Sequence, residues 1–161
     1  MLANCHGKGY NTPETIKRGS TMTDLLRRIL PTVQKPARYT GGEFNEIKKD
    51  LSDVKVRVAF CFPDTYEIGM SNVGMRILYG LMNEMEGVWC ERVFAPWADM
   101  QEQMEKHNLP LWALESQDPV TDFDMIAFSI GYEIQNFNTI DLPKLKKKDN
   151  SAFTMRFSFD F

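Results

Sequence analysis

At 161 residues, 43% of them hydrophobic and 25% charged, the chain has the size and composition of one globular domain burying roughly two-thirds of its unfolded surface. No stretch approaches the ~20 consecutive apolar residues of a membrane span. The opening MLANCHGKGYNTPETIKRGST has no apolar core of signal-peptide length, so the expected location is the cytoplasm. The net charge of −3 is unevenly spread. Residues 1–57 carry 11 Lys/Arg against 6 Asp/Glu, residues 58–143 carry 3 against 14, and residues 144–161 carry 5 against 2. An acidic middle repels phosphate backbones, so nucleic acid is not an expected partner of the central domain, and the basic ends read as solvated tails.

Residues 1–22 are polar and without period, and are expected to be a disordered extension. Thr23 can cap a short helix from Asp24 to Leu30, which Pro31 stops. An irregular segment with a glycine-pair turn at Gly41–Gly42 completes the region 23–53.

From Val54 the pattern alternates, with Val54, Val56 and Val58 set between Lys55 and Arg57, then runs fully apolar to Phe62. That is the signature of a strand entering a sheet centre. Ser71 is the expected N-cap of the next helix. Val73, Ile77, Leu78, Leu81, Met82 and Met85 form its apolar stripe, and Gly87 closes it. VWCERVF (Val88–Phe94) is a second strand. Trp97, Met100 and Met104 mark a helix ending near Asn108, LPLWALES a short strand or connector, and FDMIAFSI a buried strand to Ile130.

Strands alternating with helices predict β-α-β units and a mainly parallel sheet. The expected fold is α/β, an incomplete Rossmann- or flavodoxin-like three-layer sandwich over residues 54–138. Residues 139–161 change character: a lysine cluster precedes Phe153, Met155, Phe157, Phe159 and Phe161 at every second position. That alternation fits an amphipathic strand or a divergent tail.

Chemistry-bearing residues are sparse. Cys5, Cys61 and Cys90 form no C-x-x-C pair, and with His6 and His107 they make no zinc set. Cys61 and Cys90 lie in apolar strands, where cysteine serves as a small core residue. In open α/β sheets ligands settle at the carboxyl ends of strands, here Pro63–Glu67, Ala95–Trp97, Glu115–Ser116 and Gly131–Glu133. Gly69 and Gly74 flank the entry to the long helix, whose free N–H groups favour a polar or anionic ligand, although a glycine-containing turn is equally a tight connection. No G-x-x-x-x-G-K-[ST] and no G-x-G-x-x-G is present. Glu67, Glu115 and Glu133 are read as solvated loop carboxylates. Tyr66 and Trp97 are read as core or rim aromatics before ligand platforms. No catalytic residue is assigned.

Five strings in order, VQKPARYTGGEFN, FCFPDTYEIGMSNVGMRILYGLMNE, WCERVFAPWADM, LWALES and FDMIAFSIGYEI, span roughly Leu25 to Asn138. Over this span the chain resembles the N-terminal region of radical S-adenosylmethionine (SAM) proteins with a cobalamin-binding-type domain. The resemblance implies a Rossmann-like accessory domain preceding a radical SAM barrel. The barrel would carry C-x-x-x-C-x-x-C, a [4Fe–4S] cluster and S-adenosylmethionine. This chain lacks that motif, so it is expected to be a fragment truncated before the barrel and inactive alone, with a start displaced upstream of Met22. The D-x-H-x-x-G signature is absent, so any cobalamin would be met by loop backbone at Gly69, Met70, Ser71 and Gly74. The barrel is the implied partner, self-association a further expectation, and a stand-alone binding or interaction module the alternative function.

Overall fold

The computed structural model describes residues 21–129 and 154–157. In chain order the elements are α1 (Thr21–Ile29), β1 (Val56–Phe62), α2 (Tyr66–Ser71), α3 (Val73–Glu84), β2 (Val88–Phe94), α4 (Ala98–His107), β3 (Met125–Ser129) and β4 (Thr154–Phe157). The strands form one sheet in the order β2-β1-β3-β4, with every pairing parallel. β1 therefore lies inside, flanked by the strands that follow it. This is the arrangement two β-α-β units produce, and the fold is α/β as expected.

Strand β1 is apolar on both sides because both faces are covered. On one face Val58 and Phe60 join Cys90 and Ala127 beneath Met75 and Tyr79 of α3. On the other, Ala59 and Cys61 join Val93, Ile126 and Phe128 against Ala113, Val120 and Phe123. A satellite core packs Leu26 and Ile29 of α1 with Val33, Tyr39, Met100, Leu109 and Trp112, so the N-terminal segment is fastened to α4. The backbone of Gln34 donates to Asp99 at 2.6 Å, and that of Trp97 donates to the Tyr39 hydroxyl at 3.1 Å.

The outer edge of β2 pairs with no strand among the described residues. Side chains and one peptide group close it instead. The Asn83 amide takes both backbone groups of Cys90, accepting from its N–H at 3.0 Å and donating to its carbonyl at 2.9 Å. Two residues on, the Glu115 carboxylate accepts the Arg92 N–H at 2.7 Å and the Leu114 N–H donates to the Arg92 carbonyl at 2.8 Å. Lys49 Nζ caps the Val88 carbonyl at 2.5 Å. Each of these groups would otherwise be an unpaired edge position of the kind that recruits a foreign strand.

Several local expectations need correction. Thr23 lies inside α1, which begins at Thr21 and continues as a 3-10 turn through Pro31, so proline is tolerated at the start of that turn. β1 begins at Val56, two residues after the alternation starts. Ser71 ends α2 and does not cap α3. Asn72 does, its Oδ1 accepting the Met75 N–H at 2.8 Å. The apolar stripe of α3 is only partly the predicted one: Leu78 and Met82 pack against the core beside the buried Met75, Tyr79 and Asn83, whereas Val73, Ile77, Leu81 and Met85 are exposed. The glycine-pair turn is present, with φ of +64° at Gly41 and +85° at Gly42. Ile130 and residues 131–153 fall outside the described residues, and within the predicted tail Thr154–Phe157 forms β4.

Asn83→Leu keeps the volume but strands the Cys90 peptide groups. It should lower unfolding free energy by about 2 kcal/mol in urea titration. A loss below about 0.5 kcal/mol would mean the edge needs no such closure.

Candidate functional site

Beyond the carboxyl ends of β1 and β2 the chain leaves a shallow cleft, open to solvent and enclosing only about 20 Å³. Thr65 and Tyr66 line it after β1, and Phe94 to Trp97 after β2. Arg38, Tyr39, Trp112 and Leu114 form the far wall. This is where the strand-end rule places a ligand, and two of the four predicted strand ends meet there. Glu115–Ser116 lies at the base of the neighbouring charge cluster, and Gly131–Glu133 falls outside the described residues.

The cleft is built around Arg92. Its guanidinium is 3% exposed; Nε donates to Glu115 at 2.6 Å and Nη2 to Glu43 at 3.0 Å. It lies over the Tyr79 ring at 4.7 Å, and Nη1 reaches Met70 Sδ at 3.1 Å. One cation thus ties β2 to α2, α3, the 112–116 segment and the glycine turn that carries Glu43. Gly41 is required in that turn, since its φ is positive and an added Cβ would stand 2.7 Å from the Leu114 carbonyl oxygen. A second buried pair sits on the opposite face. Arg57 donates to Glu91 at 2.6 Å, pairs with Asp118 at 3.0 Å and stacks over Trp89 and Phe123. Nearer the cleft mouth, Arg38 pairs with Glu67 at 2.8 Å and covers the Trp97 ring.

Glu67 is therefore held below the usual carboxylate range by the Arg38 hydrogen bond. Glu115 behaves oppositely. It is buried, not solvated as expected, and burial outweighs the pull of Arg92 to push its carboxyl up to about 7. Tyr66 is pushed up to about 12, first by burial and then by its hydrogen bond to Glu43, so it is a neutral donor. Its ring meets Phe94 edge-on at 5.5 Å. Both arginines of the cleft are matched by carboxylates, and no nucleophile–base pair lines it among the described residues. Such walls favour a planar or apolar ligand over an unpaired anion.

Of the residues assigned to a cofactor, none lines the cleft directly. Gly69 is buried in α2, its N–H bonded to the Thr65 carbonyl at 2.9 Å. A Cβ there would collide with the Phe94 ring, so this glycine serves close packing. Met70 touches Arg92, Ser71 donates to the Ile68 carbonyl at 2.8 Å, and Gly74 lies in the first turn of α3. Gly69 to Ser71 are thus helical, with Gly69 packed and Ser71 exposed, and their backbone groups are taken up within the helix. Arg92, Arg57 and Asn83 escaped sequence reasoning. The signal was the adjacent Glu91–Arg92 inside the apolar string VWCERVF, which puts a charge on each face of a buried strand.

The two described cysteines offer no cluster. Cys61 and Cys90 project to opposite faces of the sheet. Burial pushes the Cys61 thiol up to about 12 and raises that of Cys90 as well, disfavouring the thiolates that iron needs. No group of His, Cys, Asp and Glu suited to a metal occurs among the described residues. No helix among them is long and apolar enough to cross a membrane.

The fold and cleft define an α/β domain with a shallow recess at its strand ends and no catalytic set among the described residues. Residues 74–149 match the family described as radical SAM proteins, N-terminal, which supports this chain as an N-terminal region of a radical SAM family protein. No curated protein and no solved structure matched the chain. Full-length radical SAM proteins use an iron–sulfur cluster and S-adenosylmethionine.

Two variants test this geometry. Gly69→Ala should destabilise the fold by about 1–3 kcal/mol through overpacking against Phe94, read by thermal unfolding. Glu115 has its folded value raised above its unfolded one, so its contribution is fully present below about pH 4.5 and is lost as pH rises through about 7. Relative to Glu115→Gln, the parent chain should lose up to about 3 kcal/mol between pH 4.5 and pH 8. Parallel stability curves for the two proteins would show that Arg92 keeps the carboxylate ionised.

Proposed function

We propose that this chain is a non-catalytic N-terminal accessory domain of a radical SAM iron–sulfur protein, presenting the cleft beyond β1 and β2 to a ligand of the associated barrel. The observation that carries the reading is the family match over residues 74–149, joined to cysteines that face away from each other in the core. The cluster and S-adenosylmethionine would be supplied by the barrel, and this domain would bind and orient through Tyr39, Tyr66, Trp97 and Trp112.

Cobalamin is the ligand implied by the resemblance. The packed Gly69 to Ser71 segment does not fit it as a backbone cradle, so the cleft aromatics are the surface that would meet it. A cytoplasmic setting accords with domains whose partner cluster needs reducing conditions.

Titration of the purified chain with hydroxocobalamin tests the ligand. A saturable change in the visible spectrum, weakened by Trp97→Ala, is expected; an unchanged spectrum removes cobalamin. Reconstitution with iron and sulfide should leave the chain without a stoichiometric cluster and without reductive cleavage of S-adenosylmethionine. Detecting both would overturn the accessory role.

A further inference from the structure

The outer face of α3 has no partner among the described residues. Val73, Ile77 and Leu81 project from it at four-residue spacing, exposed by 64%, 56% and 54%, while the opposite face is buried. Between them lies Gly80. Glycine inside a helix costs stability relative to alanine, and here the packing of the chain does not require it: an added Cβ would meet nothing within 4 Å. A residue that weakens its helix and has open space around it is suited to the close approach of another backbone. The charges around it are arranged with matching sense. Arg76 precedes Gly80 by four residues and Glu84 follows it by four, and both are exposed with no ion pair among the described residues.

We infer that α3 is a self-association surface, on which two copies of this chain pair antiparallel about a two-fold axis passing by Gly80. In that register Arg76 of each copy stands level with Glu84 of the other, and Ile77 and Leu81 fill the space on either side of the crossing. A parallel pairing would set like charges level, whereas the two-fold register sets the Arg76 and Glu84 pair, four residues either side of Gly80, against its complement. The contact is isologous, so it closes at two copies. A helix of 12 residues spans about 18 Å, which makes the interface small by the standard of stable dimers. The dissociation constant should accordingly be on the order of 10–100 µM.

Sedimentation equilibrium of the full chain over a range of concentrations bracketing that value reads the outcome. The parent chain should pass reversibly from monomer to dimer. Arg76→Glu should weaken association about tenfold, and the double change Arg76→Glu with Glu84→Arg should restore it. That rescue is expected only if the two residues meet across a two-fold axis. Gly80→Ala separates the interface from folding: it should raise the melting temperature by about 2–4 °C while weakening the dimer. A chain monomeric throughout the range, or a dimer indifferent to both Arg76→Glu and Gly80→Ala, overturns the inference.

Discussion

The molecule depends on the closure of the outer edge of β2. A short parallel sheet has two edges, and in a domain of this size an open one exposes backbone donors and acceptors to any passing strand. Here the edge is satisfied by the amide of Asn83, the carboxylate of Glu115, the peptide of Leu114 and the ammonium of Lys49. They come from three different parts of the chain. The edge therefore also specifies where α3, the 112–116 segment and the region before β1 must lie. Arg92 compounds the effect, because the carboxylate that caps its backbone also neutralises its side chain. Removing Arg92 would leave the Glu115 carboxyl buried without its cation, whereas removing Glu115 would leave Arg92 with Glu43 alone.

Closure on that side gives the sheet a direction. β1 is interior, β2 is blocked, and β3 carries β4 on its free flank. Among the described strands, the edge left for a larger Rossmann-like sheet is that of β4. The cleft beside β1 and β2 consequently sits at the closed side of the sheet, where its walls come from the start of α2, the turn after β2, the 111–114 segment and the segment leading into β1. A ligand there meets aromatic side chains held by a satellite core, in a setting more rigid than loops alone provide.

The fold was legible because the strands are long, apolar and separated by helix-length segments. VWCERVF spans β2 residue for residue, and Trp97 and Asn108 bound α4 as its two caps. The site was less legible, for a physical reason. Periodicity reports how apolar a face is, not which face the fold covers. In α3 the stripe through Val73, Ile77 and Leu81 competes with one through Met75, Tyr79 and Met82, and the sheet selects the second because Tyr79 and Asn83 reach polar partners there. The glycine-dotted string after β1 reads in one dimension as a turn that could face a polar ligand. In three, Gly69 is a contact point for Phe94, and the far wall of the cleft is drawn from residues 38, 39 and 112, distant from it in sequence. Long-range pairs such as Arg92 with Glu43 leave no local spacing to detect.

The placement of the two core thiols has a chemical consequence of its own. Sulfur atoms shut inside opposite halves of a sandwich, and kept protonated, neither capture stray metal nor climb the oxidation ladder from sulfenic acid onward. Chemical labelling of Cys61 and Cys90 would thus report unfolding of the sandwich rather than redox state.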